Sequence, residues 1–127
     1  MAMIEFENVR QDKTGFKRLF VDEQFDLYVW YAGRNGSMTG FQLVYDKWAS
    51  AKAFTWIQNQ GYRHNRIDGY DTPGSFETPI LVRNGYFETK GIVKKFLEHS
   101  SGIEQEIVDL VVHSIMNYDP ANDDQEI

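Results

Sequence analysis

The richest group of reactive side chains in the sequence lies between residues 62 and 71. Side chains two residues apart on a strand point to the same side, so His64, Arg66 and Asp68 would share one face. A histidine beside a carboxylate can act as a general base, and a nearby arginine can hold an anionic substrate. The same pattern is typical of a sheet edge that meets a surface loop, where exposed Arg–Asp pairs add little stability. The residues alone leave both interpretations open.

The same stretch also contains donors of the kind that bind metals. His64, Asp68 and Asp71 carry imidazole and carboxylate groups, but a zinc site needs three or four ligands. The other histidines, His99 and His113, fall in predicted helices. His99 lies near a helix end, where a cation is favoured without any ligand role. We therefore predict no metal site and no cofactor.

Local catalytic motifs are missing from the sequence. It contains no phosphate-binding GxxxxGK[ST] loop, no GxGxxG, no GxSxG and no HExxH. These absences disfavour NTPases, dinucleotide enzymes, α/β-hydrolases and zincins. A site assembled from distant segments stays open.

Aromatic residues are the second chemically distinctive set. Its members are Tyr28, Trp30, Phe41, Tyr45, Trp48, Phe54, Trp56 and Tyr62. Tyrosine and tryptophan combine an apolar ring with one polar group, which suits both ligand stacking and interface anchoring. On strands the same residues also form ordinary cross-strand pairs. They therefore predict either a packed core or a binding face.

Composition limits the class of protein. The chain has 127 residues, 42% of them hydrophobic, and a formal net charge of −6. This length and apolar content predict one packed domain. The acidic balance argues against nucleic acid and anionic membranes, because phosphate groups are bound by Lys and Arg. The absence of cysteine excludes disulfides and thiolate chemistry. With no leader and no apolar run of about 20 residues, we expect a cytoplasmic protein.

Alternating apolar and polar residues predict an antiparallel β-meander of four or five strands. Asn35-Gly36 supplies the positive φ values of a tight hairpin turn within it. A short extended segment is predicted over 79–82. The predicted strands cover residues 16–21, 25–31, 38–46, 51–58 and a shorter run around 62–67.

Two helices follow at the C-terminal end. Ile92, Val93, Phe96 and Leu97 form the apolar stripe of the first, which ends at 100–102. A second stripe runs over 103–118. Strands followed by helices indicate an α+β fold, with the helix pair packed on one face of the sheet. We expect one domain over residues 1–120 and an acidic tail over 121–127.

Two local details of this arrangement are also predicted. Ser101 is a candidate N-cap for the second helix. Because the helices cover only one face, aromatic residues on the other face, Tyr28 and Trp30 among them, need another cover. The candidates are the 69–85 loop, a second subunit or a ligand.

Several segments together resemble a family of small uncharacterised bacterial proteins. The resemblance begins with Asp26-Leu27-Tyr28-Val29-Trp30-Tyr31 and covers roughly residues 9 to 118. It continues with Gly40-Phe41-Gln42-Leu43-Val44-Tyr45-Asp46-Lys47, Ala53-Phe54-Thr55-Trp56, His64-Asn65-Arg66-Ile67-Asp68 and Thr78-Pro79-Ile80-Leu81-Val82. It implies a bacterial single-domain protein and carries no catalytic residue across, since no activity is established for that family.

We expect a non-enzymatic binding or protein-interaction module that uses an aromatic face of the sheet, with a protein or a small molecule as its partner. The alternative is a small enzyme in which His64 acts with Asp68 or Asp46 on an anionic small molecule held by Arg66. A homodimer that buries the open sheet face is a third hypothesis. A deep pocket containing His64 would favour the enzyme, and an exposed aromatic patch would favour the binding module.

These hypotheses use two sets of residues. The candidate catalytic residues are His64, Asp68 and Asp46. The candidate ligand-binding residues are Arg66, Gln42, Lys47, Trp30 and Tyr28.

Overall fold

A computed structural model describes residues 2–6, 11, 15–34, 36–47, 51–68, 80–83 and 89–118. These residues form an antiparallel sheet followed by two helices, so the predicted α+β class is confirmed. The strands are β1 (Ile4–Glu5), β2 (Phe16–Val21), β3 (Asp26–Tyr31), β4 (Met38–Tyr45), β5 (Lys52–Ile57), β6 (Gly61–Asp68) and β7 (Ile80–Arg83), and the helices are α1 (Thr89–His99) and α2 (Gln105–Met116).

Each described strand pairs with the next one along the chain, in the order β1 to β7. The meander is therefore as predicted, but it has seven described strands instead of four or five. Within the predicted extended segment over 79–82, the described residues 80–82 pair with β6 and belong to β7. The two-residue β1 pairs with β2 and is too short to show an alternating pattern.

The larger hydrophobic core lies between the sheet and the helices. The register aligns Leu27, Leu43 and Phe54 across β3, β4 and β5 on one face, and all three are fully buried. Phe96 of α1 and Ile107 of α2 pack into the same core. Burying each such side chain contributes about 1.5–3 kcal/mol. The helix pair thus covers one face of the sheet, as the sequence predicts.

The second face carries a smaller apolar cluster of Val44, Ala51, Ala53 and Ile67, with Tyr28 packed against it. The predicted covers for this face stay predictions, because most of the 69–85 loop lies outside the described residues. The predicted tail over 121–127 lies outside them too.

The β3–β4 hairpin is present, but its turn differs from the prediction. The Gly36 N–H donates to the Gly33 carbonyl at 2.9 Å, and the Ala32 N–H donates to the Ser37 carbonyl at 3.0 Å. Gly36 therefore closes a turn that begins at Gly33 and is not one of its two central residues. Asn35 itself lies outside the described residues. The loop is longer than the predicted two-residue turn.

The second helix begins later than predicted. Glu104, not Ser101, stands at its N-cap. The buried side chain of Ile103 packs into the core just before the helix, so α2 starts only after that anchor. None of the helices in the described part of the chain is long and apolar enough to cross a membrane.

Gly40 marks a close approach between two strands. A Cβ built there would lie 2.7 Å from the Trp56 main-chain oxygen and 3.3 Å from Cε3 of Trp30. A main-chain oxygen in a paired strand has little room to move. We expect Gly40→Ala to lower the free energy of unfolding by about 1–3 kcal/mol, measured by urea denaturation.

Gly33→Ala is the matched control for this prediction, because a Cβ at Gly33 meets nothing within 4 Å. It should change stability by no more than about 0.5 kcal/mol. Equal unfolding midpoints for the two variants would contradict the close approach.

Candidate functional site

The turn between β2 and β3 is the meeting point of three elements. One carboxylate oxygen of Asp22 accepts the N–H groups of Gln24 and Phe25 at 2.7 and 2.8 Å, which fixes the turn. Its other oxygen lies 2.5 Å from Nδ1 of His99, the last residue of α1. Its main-chain carbonyl accepts Nζ of Lys47, just beyond β4, at 2.6 Å. Asp22 thereby joins the turn to α1 and to the end of β4.

Lys47 and Asp26 form a buried ion pair beside this turn. Lys47 Nζ lies 2.9 Å from Asp26 Oδ1, and their side chains are only 3% and 0% exposed. A buried ion is costly to desolvate, so each group depends on the other. Lys47, predicted as a ligand-binding residue, therefore has a structural partner that the sequence did not indicate.

Tyr45 and His64 form a second buried polar pair. The Tyr45 hydroxyl lies 2.5 Å from Nε2 of His64, and the two rings are stacked with centroids 5.9 Å apart. Burial raises the pKa of the Tyr45 phenol above its usual value, and nearby Asp46 adds to the rise. The phenol therefore stays protonated at neutral pH. This disfavours Tyr45 as a general base and suits it to hydrogen bonding.

One cavity lies between the β2–β3 turn, the end of β4 and helix α1. Its volume is about 300 Å³. We call it the charged cavity, and its lining residues are Glu23, Gln24, Phe25, Tyr45, Asp46, Lys47, Ile92 and Lys95. It brings together two of the sequence candidates, Asp46 and Lys47. Asp46 has a φ of 55°, in the left-handed region that Asp and Asn enter more readily than most residues.

A second cavity of about 270 Å³ lies at the opposite end of the sheet, where β2 and β4 begin and β3 and β5 end. We call it the aromatic cavity, and its described lining is Gln11, Gly15, Phe16, Lys17, Trp30, Tyr31, Thr39 and Ile57. It contains one sequence candidate, Trp30. Tyr28 stacks on Trp30 with ring centroids 6.5 Å apart and an interplanar angle of 12°.

Of the predicted His64–Arg66–Asp68 set, His64 and Arg66 lie on one face of β6, as strand alternation requires. His64 is 1% exposed and lines neither of these two cavities, whereas Arg66 is exposed. At the rise of an extended strand, the Cα atoms of His64 and Asp68 are about 13 Å apart. The Asp68 side chain and all of Asp71 lie outside the described residues.

Gln42 lies on the face of the sheet opposite His64. Its Nε2 donates to Oγ1 of Thr55, its cross-strand partner, at 3.0 Å. The structure therefore places Gln42 apart from Tyr45 and His64, which lie on the helix-covered face. No group of three or more potential metal ligands occurs in the part of the chain that the structure describes.

The sequence did not point to Asp22, Asp26 or His99 as members of one network. Their contacts join residues 21 to 77 positions apart in the chain, so no local spacing signals them. His99 was predicted at a helix end, and it is there, but its Asp22 partner was not foreseen. The one available signal for this network was Asp26, a carboxylate on a hydrophobic strand, because a carboxylate buried there needs a partner.

Arg18 forms a separate charged cluster where β1, β2 and α2 meet. It donates to both carboxylate oxygens of Glu5 at 2.9 Å and to those of Glu104 at 2.6 and 3.1 Å. The hydrogen bonds from Arg18 lower the pKa of Glu104 below its ordinary value of 4.5. This cluster ties the first strand to the start of α2.

We expect the buried pair to dominate the effect of substituting Lys47. Lys47→Met leaves the Asp26 carboxylate buried without its cation and should lower the free energy of unfolding by about 3–5 kcal/mol in a urea titration. The control is Lys52→Met. Lys52 pairs with the half-exposed Asp46 at 3.4 Å, so its loss should be at most about 1 kcal/mol. Similar losses for the two variants would refute the assignment.

The Glu104 contact should appear in the pH dependence of stability. A carboxyl whose pKa is lowered on folding stabilises the protein above its ordinary pKa, and this contribution is lost as the pH falls through the folded pKa. Glu104→Gln should therefore cost up to about 1 kcal/mol near neutral pH, since Glu104 is largely exposed. The cost should decrease as the pH is lowered below the ordinary value of 4.5 and through the lower folded pKa, as measured by urea unfolding at a series of pH values. Glu106→Gln, at an exposed position of α2, is the control. A cost of Glu104→Gln that does not change with pH would exclude an ionic contribution from Glu104.

Comparison with protein-family models, curated proteins and solved structures finds no match for this chain. The resemblance to small bacterial proteins therefore stays a prediction. The functional assignment depends on the geometry of the two cavities.

Proposed function

We propose that the chain is a non-enzymatic binding module that holds a planar, negatively charged small molecule in its aromatic cavity. The observation that carries this proposal is the position of Trp30. Its ring forms part of the cavity wall, stacks on Tyr28 and faces the same side of the sheet as Lys17, its cross-strand partner.

The walls of the aromatic cavity suit a flat apolar ligand. Trp30 contributes a ring on one face of the sheet, and Phe16 and Tyr31, a cross-strand pair on the other face, line the same end with ring centroids 5.9 Å apart. All three are half-buried, so their positions are fixed by packing while part of each ring stays accessible. Aromatic walls favour ligands with π faces, through offset stacking and edge contacts.

Gly40 leaves room for the Trp30 ring on the surface of the sheet. The Trp30 ring lies over Gly40, whose missing Cβ would be 3.3 Å from Cε3. The indole can therefore lie flat over the strand beside it, and its accessible face is held at the cavity. A rigid aromatic wall reduces the entropy that a ligand must lose on binding.

The charge around this cavity favours an anion. Lys17 lines it, and the Arg34 guanidinium lies over the Phe16 ring at 5.0 Å. Among the lining residues that the structure describes, none is acidic. A ligand that joins a planar body to a carboxylate would meet both the Trp30 ring and the Lys17 ammonium on the same face of the sheet.

The enzyme hypothesis has less support from the geometry. His64 is buried against Tyr45, and the raised pKa of Tyr45 keeps that partner neutral. His64 lines neither of the two described cavities, and a general base must lie within hydrogen-bond reach of the proton that it takes. Binding without catalysis is the simpler account of the two described cavities.

Binding of 2-naphthoate and of its neutral analogue 2-naphthamide tests the proposal. The shifts of the Thr39 and Ile57 backbone amides, which line the cavity and are present in every variant, should saturate for both compounds in an NMR titration, with naphthoate binding about three- to tenfold more tightly because of its charge. Trp30→Leu should abolish saturable binding of both. Lys17→Gln should remove only the preference for naphthoate.

Lys90→Gln, an exposed change on α1, is the control and should leave both affinities unchanged. Two results would overturn the proposal: no saturation by either compound up to about 10 mM, or the same affinities in the Trp30→Leu variant.

A further inference from the structure

We propose that the charged cavity binds a short aliphatic carboxylate, a molecule with an apolar body and one negative charge. This site is independent of the aromatic cavity, because the two lie at opposite ends of the sheet and share no lining residue. The proposal rests on the apolar inner walls of the cavity and on Lys95, a lining cation that forms no ion pair with the described residues.

The inner part of the charged cavity is apolar. Phe25, Tyr45 and Ile92 line it, and each is almost fully buried. Phe25 is held edge-on against Phe96 with ring centroids 6.2 Å apart, and the Tyr45 ring is stacked on His64. Because both lining rings already contact other rings, less of their π surface is left for a ligand ring. The walls therefore suit an aliphatic chain, which would leave water for an already packed surface.

The carboxylates at this cavity already have partners. Asp46 pairs with Lys52 at 3.4 Å, and Glu23, on the β2–β3 turn, has an interaction of its own. Both carboxylates are exposed, so water weakens their repulsion of a ligand anion. Among the lining residues that the structure describes, no carboxylate is therefore left without a partner for a ligand cation to meet.

The lining cations differ in this respect. Lys47 is paired with Asp26 at 2.9 Å. Lys95, on α1, lines the cavity from an exposed position and has no carboxylate within ion-pair distance in the part of the chain that the structure describes. Gln24, on the wall formed by the β2–β3 turn, adds a carboxamide that can donate to an oxygen. A ligand carboxylate can accept hydrogen bonds from both donors, and its charge complements Lys95.

A short aliphatic carboxylate matches both parts of the cavity. Its chain would lie against Phe25 and Ile92, and its carboxylate would contact Lys95. An amine of the same shape would lose hydration without gaining a partner for its charge. The volume of about 300 Å³ lies at the small end of ligand cavities, which favours a small molecule of this kind over a peptide.

Buried polar contacts hold the three walls together without a ligand. Asp22 joins the turn to α1 through His99 and to the end of β4 through Lys47. His64 fixes the hydroxyl end of Tyr45. A cavity whose walls are tied in this way is formed before binding, so little ordering has to accompany the ligand.

The acid 4-methylpentanoate and two analogues of similar shape test the charge. Its amide, 4-methylpentanamide, is neutral, and 3-methylbutylamine carries a positive charge instead. Titrated into the full chain and followed by the NMR backbone amide signals of Gln24 and Ile92, the acid should saturate. Its affinity should be about three- to tenfold higher than that of the amide, and the amine should bind more weakly than either.

Acetate tests the contribution of the apolar body. It has the same charged group without the chain, so it should bind at least about tenfold more weakly than 4-methylpentanoate. The amide signals of Thr39 and Ile57, which line the aromatic cavity, should not shift in any of these titrations. The two sites are therefore tested separately, and a failure at one leaves the other untouched.

Lys95→Gln assigns the charged end of the ligand. It should remove the preference for the acid over the amide and leave the affinity for the amide unchanged. Lys94→Gln is the matched control, because Lys94 is exposed on the same helix and does not line the cavity. It should leave every affinity unchanged.

The proposal is overturned if the acid shows no saturation at Gln24 and Ile92 up to about 10 mM. It is equally overturned if the amide, the amine or acetate binds as tightly as the acid, or if Lys95→Gln behaves like Lys94→Gln.

Discussion

A buried ammonium group is costly unless a carboxylate lies at hydrogen-bond distance, and this cost organises one end of the sheet. Lys47 has such a partner in Asp26 and adds a hydrogen bond to the Asp22 carbonyl. Because Lys47 follows β4 while Asp22 and Asp26 flank the β2–β3 turn, the pair fixes where these two strand ends lie. The Asp22 carboxylate then binds His99 and positions the end of α1. The walls of the charged cavity follow from these contacts.

The meander topology explains why the two cavities differ in character. In a sheet where each strand pairs with the next, successive connections lie at opposite ends of the sheet. The β2–β3 turn lies at one end with the end of β4, where charged residues meet α1. The other end brings Trp30 together with Lys17 on one face of the sheet. The strands between them form the core, so the two ends are free to differ in chemistry.

Much of the fold could be predicted because its signals are local. Alternation along β2 to β6 depends on neighbouring residues, and so does the apolar stripe that places Ile92 and Phe96 on the core side of α1. The turn that Gly36 closes begins one residue earlier than the Asn-Gly pair predicts. An Asn-Gly pair favours a two-residue loop, but it also occurs in longer loops. The start of α2 was set by burial of Ile103, a tertiary effect that overrides the capping preference of Ser101.

The candidate sites were harder to predict because their contacts are long-range. The sequence favoured His64 with Asp68, a spacing that places both on one face of β6 but leaves them about 13 Å apart. The partner that His64 contacts is Tyr45, two strands away, and only the register of β5 between them brings the two rings together. Trp30 was easier to select, since a large aromatic on a face without helices needs some cover.

The contacts of the buried polar groups indicate whether these groups serve catalysis or structure. A general base needs an accessible lone pair and a pKa near the working pH. Tyr45 is held neutral by burial, and His64 is packed against it. Lys47 is tied to Asp26. These buried polar groups therefore position the walls of the charged cavity. Each of these contacts fixes the position of a side chain before any ligand arrives, which is what a preformed cavity requires.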